Sequence, residues 1–266
     1  PLATRVMGNP LRLAFGLLTL SILLAHGADR HLRAPNHEAK PVDQLTVSGN
    51  ACGPAALLSA FRLAGPKWQI IEKSLPGSND RQRLTYLIKH HGKRPSNHLK
   101  QSRWNARSGV NLLDLTDIGN ELRGTRHLPK LRSQTLLRRD HESAPRLMKR
   151  CHGQLSSSLR HGLPPVVGLQ RLTVRLIAGK PTWVTVHGHF IVITGIPKHL
   201  ARGATSMPIQ YADPWGGKKR TGVLKFDKTR GFPALVVDLP FSRFGTDKLT
   251  KGEHSFVILS SCLGAF

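Results

Sequence analysis

A chain of 266 residues with 39% hydrophobic and 21% charged side chains can bury a core as one domain or at most two, which excludes an intrinsically disordered chain. Its 40 lysines and arginines stand against 15 acidic residues, a net charge of +25 that leaves the fold open but draws the surface toward nucleic acid, anionic lipid or acidic cell-wall polymer. No P-loop, dinucleotide fingerprint or internal repeat is present, and no carboxylate cluster of the kind a metal-dependent nuclease needs.

At the start, Arg5 and Arg12 precede an uncharged run over residues 13–25, broken only by Gly16, Thr19 and Ser21, and small residues follow at Ala25-His26-Gly27-Ala28. Thirteen residues fall short of the roughly 20 that span a bilayer, so residues 1–28 read as a signal peptide, with an N-terminal anchor over 11–25 as the alternative. Both readings export the folded part, to the periplasm or the outside, with passage through the membrane led by this segment. Residues 29–41 are polar, carry Pro35 and Pro41, and read as a linker into a domain over 42–266.

The stretch Ser48-Gly49-Asn50-Ala51-Cys52-Gly53-Pro54 reads as the mouth of a helix. Ser48 and Asn50 are good N-cap residues, and Pro54 is tolerated in a first turn where no intrahelical N–H bond is lost. Helix formers run to Ala64, and Gly65-Pro66 stops them. A thiol at a helix N-terminus meets unpaired N–H groups and the positive end of the dipole, both of which favour thiolate. A small core residue near a helix start is the plainer alternative.

A short helix is expected over 68–75, then a basic, irregular stretch over 76–110 in which Trp104 is either a base or sugar stacker or a lone surface or hinge residue. Leu112, Leu115, Ile118 and Leu122 recur at helical spacing, with Asp114 and Asp117 assigned to the exposed side. Between Gly124 and Gly162 the chain is rich in Arg and Lys, and Leu136, Leu137, Leu147, Leu155 and Leu159 suggest one or two amphipathic helices broken near Pro145. This is the local candidate for a polyanion-binding face.

The second half is β-rich. Strands are expected at 166–169, at 172–177 and 182–186 as a hairpin around Gly179-Lys180-Pro181, and at 189–196, 209–213, 222–226, 234–239 and 255–259. Helices first and an antiparallel sheet afterwards give an α+β class, with the cysteine helix packed on the sheet. Cys151 and Cys262 could pair after export and leave Cys52 free. The 14 histidines form no ligand set with Cys or Glu at zinc-site spacing, so neither a metal nor a cofactor is expected.

Three stretches carry a resemblance: Asn50-Ala51-Cys52-Gly53-Pro54-Ala55-Ala56-Leu57, Gly188-His189-Phe190-Ile191-Val192-Ile193-Thr194-Gly195, and Asp213-Pro214-Trp215-Gly216-Gly217. In that chain order they resemble the papain-like cysteine peptidases, and most of all the branch that removes double-glycine leader peptides in bacteriocin export, with its stand-alone secreted relatives. The resemblance implies a papain-like fold and a peptide or protein substrate whose amide bond is hydrolysed through an acyl-enzyme. Cys52 would be the nucleophile, His189 the acid–base group and Asp213 its orienting partner, with Trp215 and Phe190 shielding the pair. His187 competes for the base role from the same face of a strand. The family's oxyanion glutamine commonly lies six positions before the cysteine; Thr46 stands there, and Gln44 lies eight ahead. The donor is therefore Gln44 or Asn50, joined by the Cys52 backbone N–H. Amidase or transpeptidase chemistry fits the same triad. A non-catalytic module binding a polyanion through its basic surface is the alternative of a different class.

Overall fold

Twelve residues that are apolar on almost every side form the helix around which the domain is arranged. Helix α1 (Cys52–Leu63) buries ten of its 12 residues, among them Leu57, Leu58, Phe61 and Leu63. A helix apolar all round belongs inside a core, not on a surface. The computed structural model describes residues 30–47, 50–227, 234–240, 242 and 244–266; the expected signal segment, and Ser48 and Gly49, lie outside them. The N-cap of α1 is Ala51, without a side-chain cap, rather than Ser48 or Asn50.

Helices α2 (Pro66–Lys73), α3 (Asp80–Leu87) and α4 (Leu112–Arg123) follow, with the strand pair β2 (Trp104–Asn105) and β3 (Gly109–Val110) before α4. Helix α5 (Ala144–Arg160) is one 17-residue helix. Pro145 begins it instead of breaking it, because a proline in the first turn lacks only an N–H that would have no intrahelical acceptor.

The sheet is antiparallel throughout. Strand β1 (His31–Arg33) pairs with β6 (Lys180–Pro197), and β4 (Arg132–Thr135) pairs with β10 (Ser255–Gly264). The main path runs β6, β5 (Val166–Ile177), β10, β9 (Leu235–Asp238), β8 (Lys218–Phe226), β7 (Ser206–Asp213), and β7 pairs back onto β6. The six strands therefore close into a ring, which removes two sheet edges. The class is α+β, a large antiparallel sheet with five α-helices among the described residues. None of these helices is long and apolar enough to cross a membrane.

Two expected strands prove to be one. Residues 182–186 and 189–196 belong to the 18-residue β6, and Gly188 does not interrupt it because it pairs with Gln170. The hairpin turn is Ala178-Gly179, with φ of 49° and 76°, not Gly179-Lys180-Pro181. Positive φ at both central positions is what a two-residue hairpin with right-twisted strands needs.

Candidate active site

Cys52 is the first residue of α1 and is half-buried. Its neighbour must be small: a Cβ on Gly53 would meet the Val110 side chain on β3 and come within 3.3 Å of the Phe190 ring on β6. The first turn of α1 is thereby clamped between two strands. His189 lies on β6 and Asp213 ends β7, and the pairing of Val192 with Ala212 brings the two strands together beside it.

His189 Nε2 donates to Asp213 Oδ1 at 2.9 Å, and both residues are 3% exposed. The same oxygen accepts the Trp215 backbone N–H at 2.9 Å. Cys52 and His189 line the same cleft, close enough for the sulfur to favour charge on the imidazole. With Nε2 committed to Asp213, Nδ1 is the nitrogen left for sulfur. Burial works against charge on this imidazole, but the hydrogen bonds and charges of Asp213 and Cys52 outweigh it and raise His189 to about 9. Phe244 stacks on the ring, with centroids 5.1 Å apart and planes 25° from parallel. Arg171 holds Phe244 in place: its Nε donates to the Phe244 carbonyl at 2.6 Å, and its guanidinium lies 5.0 Å from the ring centroid.

His187 sits next to this set but outside it. Lys248 Nζ donates to His187 Nδ1 at 2.9 Å, and burial followed by the Lys248 charge lowers the affinity of His187 for a proton. The geometry separates two histidines that the sequence left in competition. It also corrects the expected shield. Trp215 is 48% exposed, and Phe190 packs on Gly53; Phe244 covers the imidazole instead.

The aspartate turn is stitched to the segment that enters α1. The Gln44 N–H donates to the Pro214 carbonyl at 2.9 Å, and the Gly216 N–H donates to Asp43 Oδ1 at 3.0 Å. Gly217, at φ 59°, lets the chain pass so close that a Cβ would stand 2.9 Å from the Pro41 carbonyl. Gln44 is fully buried beside this turn. Asn50 has another task. Its amide donates to the carbonyls of Ala106 at 2.6 Å and Arg107 at 3.1 Å, which engages the donor that an oxyanion would need. Trp104, only 5% exposed, donates from Nε1 to the Asn50 carbonyl at 3.0 Å, so it is a structural residue and not a stacking platform.

Two clefts flank the set. One, of about 450 Å³, is bounded by Cys52, Ser108, Gly188, His189 and Ser261. The other, of about 650 Å³, is bounded by His189, Asp213, Trp215, Lys218, Arg220 and Lys248. A segment of extended chain lying through both would pass the sulfur.

No family model, curated protein or solved structure matches this chain.

Cys151 and Cys262 are fully buried and both are free thiols, so the expected pairing is not formed. Burial pushes the Cys151 thiol up to about 12 against the pull of Arg150, and pushes Cys262 upward as well. Neither is prepared as a nucleophile.

The structure gathers one group that the sequence did not disclose. His98, Asp114 and Asp117 bring their ligand atoms within 4.8 Å of one another. Asp114 is fully buried, contrary to its expected exposure. Ser96 Oγ donates to its Oδ1 at 2.8 Å and Asn111 Nδ2 to its Oδ2 at 2.5 Å, while Asn97 Nδ2 reaches Asp117 at 3.0 Å. These bonds fasten the 95–98 turn to the start of α4, beside the loop that carries Asn50's partners. Asp114→Ala is expected to destabilise the fold by about 2–3 kcal/mol, since it removes a buried acceptor and strands two half-buried donors. Chemical denaturation reads this directly, and a shift below half a kilocalorie, about the scatter of surface substitutions, would contradict it.

Proposed function

We propose that the chain is a cysteine peptidase of papain-like type, hydrolysing peptide amide bonds through Cys52, His189 and Asp213. The observation that carries this reading is the buried His189–Asp213 hydrogen bond, with the imidazole sharing a cleft with Cys52 and acted on by its sulfur. Cys52 attacks the carbonyl carbon to give a tetrahedral adduct as His189 holds the proton. His189 delivers that proton to the amine as the C–N bond breaks, leaving the thioester. In the second half-reaction it takes a proton from water, which attacks the thioester and frees the acid. Asp213 fixes the tautomer and steadies the imidazolium. The oxyanion donors are the Cys52 backbone N–H at the start of α1 and the Gln44 side chain; Asn50 is withdrawn from that role because its amide is engaged. Lys218, Arg220 and Lys248 around the second cleft favour a substrate that carries negative charge on that side.

The apolar run over residues 13–25 behind Arg5 and Arg12 supports export. The net charge of +25 supports a second reading, a non-catalytic module that binds a polyanion. A thiol-reactive probe at neutral pH separates them. Labelling of Cys52 at least about 100-fold faster than Cys151 or Cys262, and an advantage abolished in His189→Ala under conditions where its circular dichroism shows it folded, is the expected result. Slow labelling of Cys52 that is indifferent to His189, together with salt-sensitive polyanion binding, would favour the module.

A further inference from the structure

The far end of the β5–β6 hairpin has no part in the site above. Strand β5 pairs with β10 only as far as Thr173, opposite Ser255. Beyond it, residues 174–177 pair solely with 180–183 of β6, so a two-stranded arm projects past the sheet. Val174 pairs with Trp183 and Leu176 with Pro181, and directly opposed residues share a face. One face of the arm is therefore Val174, Leu176, Pro181 and Trp183. Leu176 is 74% exposed, Val174 43% and Trp183 42%, and at the tip Ile177 adds 52%. Trp183 meets the edge of Phe256 at 5.8 Å, and Phe256 packs on a small apolar cluster of Leu172, Ala234, Val236 and Ile258 that is separate from the main core. An apolar face of this extent on so polar a surface marks a contact site.

The charge around it is positive. Lys180 stands at the turn and Lys251 across the open groove beside Trp183, both exposed. The one acid of that groove, Glu253, is paired with Arg175 at 2.8 Å. We propose that this arm docks on an anionic lipid bilayer, with Leu176, Ile177 and Trp183 entering the interface and Lys180 and Lys251 against the headgroups. Tryptophan and lysine suit that boundary because each joins an apolar body to a polar end. A second copy of the chain is the poorer fit, since two molecules of charge +25 repel each other. A projecting tip suits a fluid surface better than a preformed socket. The proposal stands independently of the peptidase reading.

The test uses the full chain and vesicles of phosphatidylcholine, either alone or with about one third phosphatidylglycerol, carrying brominated acyl chains. Tryptophan quenching on the anionic vesicles is expected, and Trp183→Phe should remove most of it. Leu176→Asn and Trp183→Phe lie on an exposed arm, and unchanged far-UV spectra and melting confirm their folding. Because the difference between the parent and Trp183→Phe separates Trp183 from Trp68, Trp104 and Trp215, binding through residues 13–25 cannot imitate it. Leu176→Asn should weaken that Trp183-specific quenching at least about tenfold in lipid concentration. Three outcomes overturn the proposal: quenching in Trp183→Phe equal to that of the parent, no preference for anionic vesicles, or an arm-dependent dimer in solution without lipid.

Discussion

Cys52→Ala is expected to lower peptide hydrolysis by about 10⁴-fold or more while leaving the fold intact. The size follows from the chemistry: without sulfur there is no acyl-enzyme, and the remaining contacts only position a substrate for water. Cys52→Ser should be almost as inactive, because an alkoxide is far harder to form than a thiolate. The melting temperature should move by no more than about 3 °C, since Cys52 is half-buried and its neighbours in the first turn keep their packing. The assay is turnover of a fluorogenic peptide library, with peptides bearing Asp or Glu included because of the basic cleft. Cys151→Ala and Cys262→Ala are the controls: both should retain activity and lose stability by about 1–3 kcal/mol, as buried side chains do when truncated. Activity that survives Cys52→Ala but follows one of these two would move the reaction elsewhere in the molecule and end the assignment.

Why the three residues of the candidate site could be singled out in the sequence, and the scaffold that gathers them could not, is a matter of range. Cys52 is announced by what lies within three residues of it: Gly53, which only a close approach of two strands requires, and Pro54, which marks a first helical turn. His189 and Asp213 likewise sit in short, chemically distinct surroundings, an apolar run and a Pro-Gly turn. Local chemistry of that kind survives without coordinates. The α+β class was legible for the same reason, since helical and alternating periods occupy different halves of the chain. Phe244 was not legible. It lies 55 positions after the histidine it covers, in no periodic element, and only the Arg171 clamp aims it. The ring closure of the sheet is equally long-range, because it rests on β7 returning to β6. Asn50 was misread for the opposite reason: its chemistry suits an oxyanion donor, but two carbonyls some 56 residues away take its amide first. Asp114 looked exposed because a carboxylate at an amphipathic boundary usually is; the half-buried donors Ser96 and Asn111 made the interior acceptable.

The pH dependence of the reaction should fall on its alkaline side near pH 9, and Asp213→Asn should move that fall to lower pH. The leaving amine must be protonated by the His189 imidazolium, so rate is lost as that proton is lost. In the folded chain burial alone would depress the proton affinity of His189; the hydrogen bond it donates to Asp213, then the influence of Cys52, and their charges reverse the sign and lift it to about 9. Removing the carboxylate charge leaves burial the stronger influence, hence the direction. Asparagine keeps an oxygen that can accept the Nε2 proton, so the tautomer survives and turnover at the optimum should fall only about tenfold to 100-fold. Asp213→Ala removes both charge and acceptor and should lose about 10³-fold or more. The same shift acts on stability. A histidine whose folded value lies above its unfolded 6.5 contributes stability that is complete below pH 6.5 and disappears as pH rises through about 9. Asp213→Asn should therefore lose more stability at pH 6 than at pH 10, measured by denaturant titration at both. An alkaline limb in Asp213→Asn that coincides with the parent's would detach the carboxylate from the imidazole it touches, and with it the division of labour assigned to the three residues.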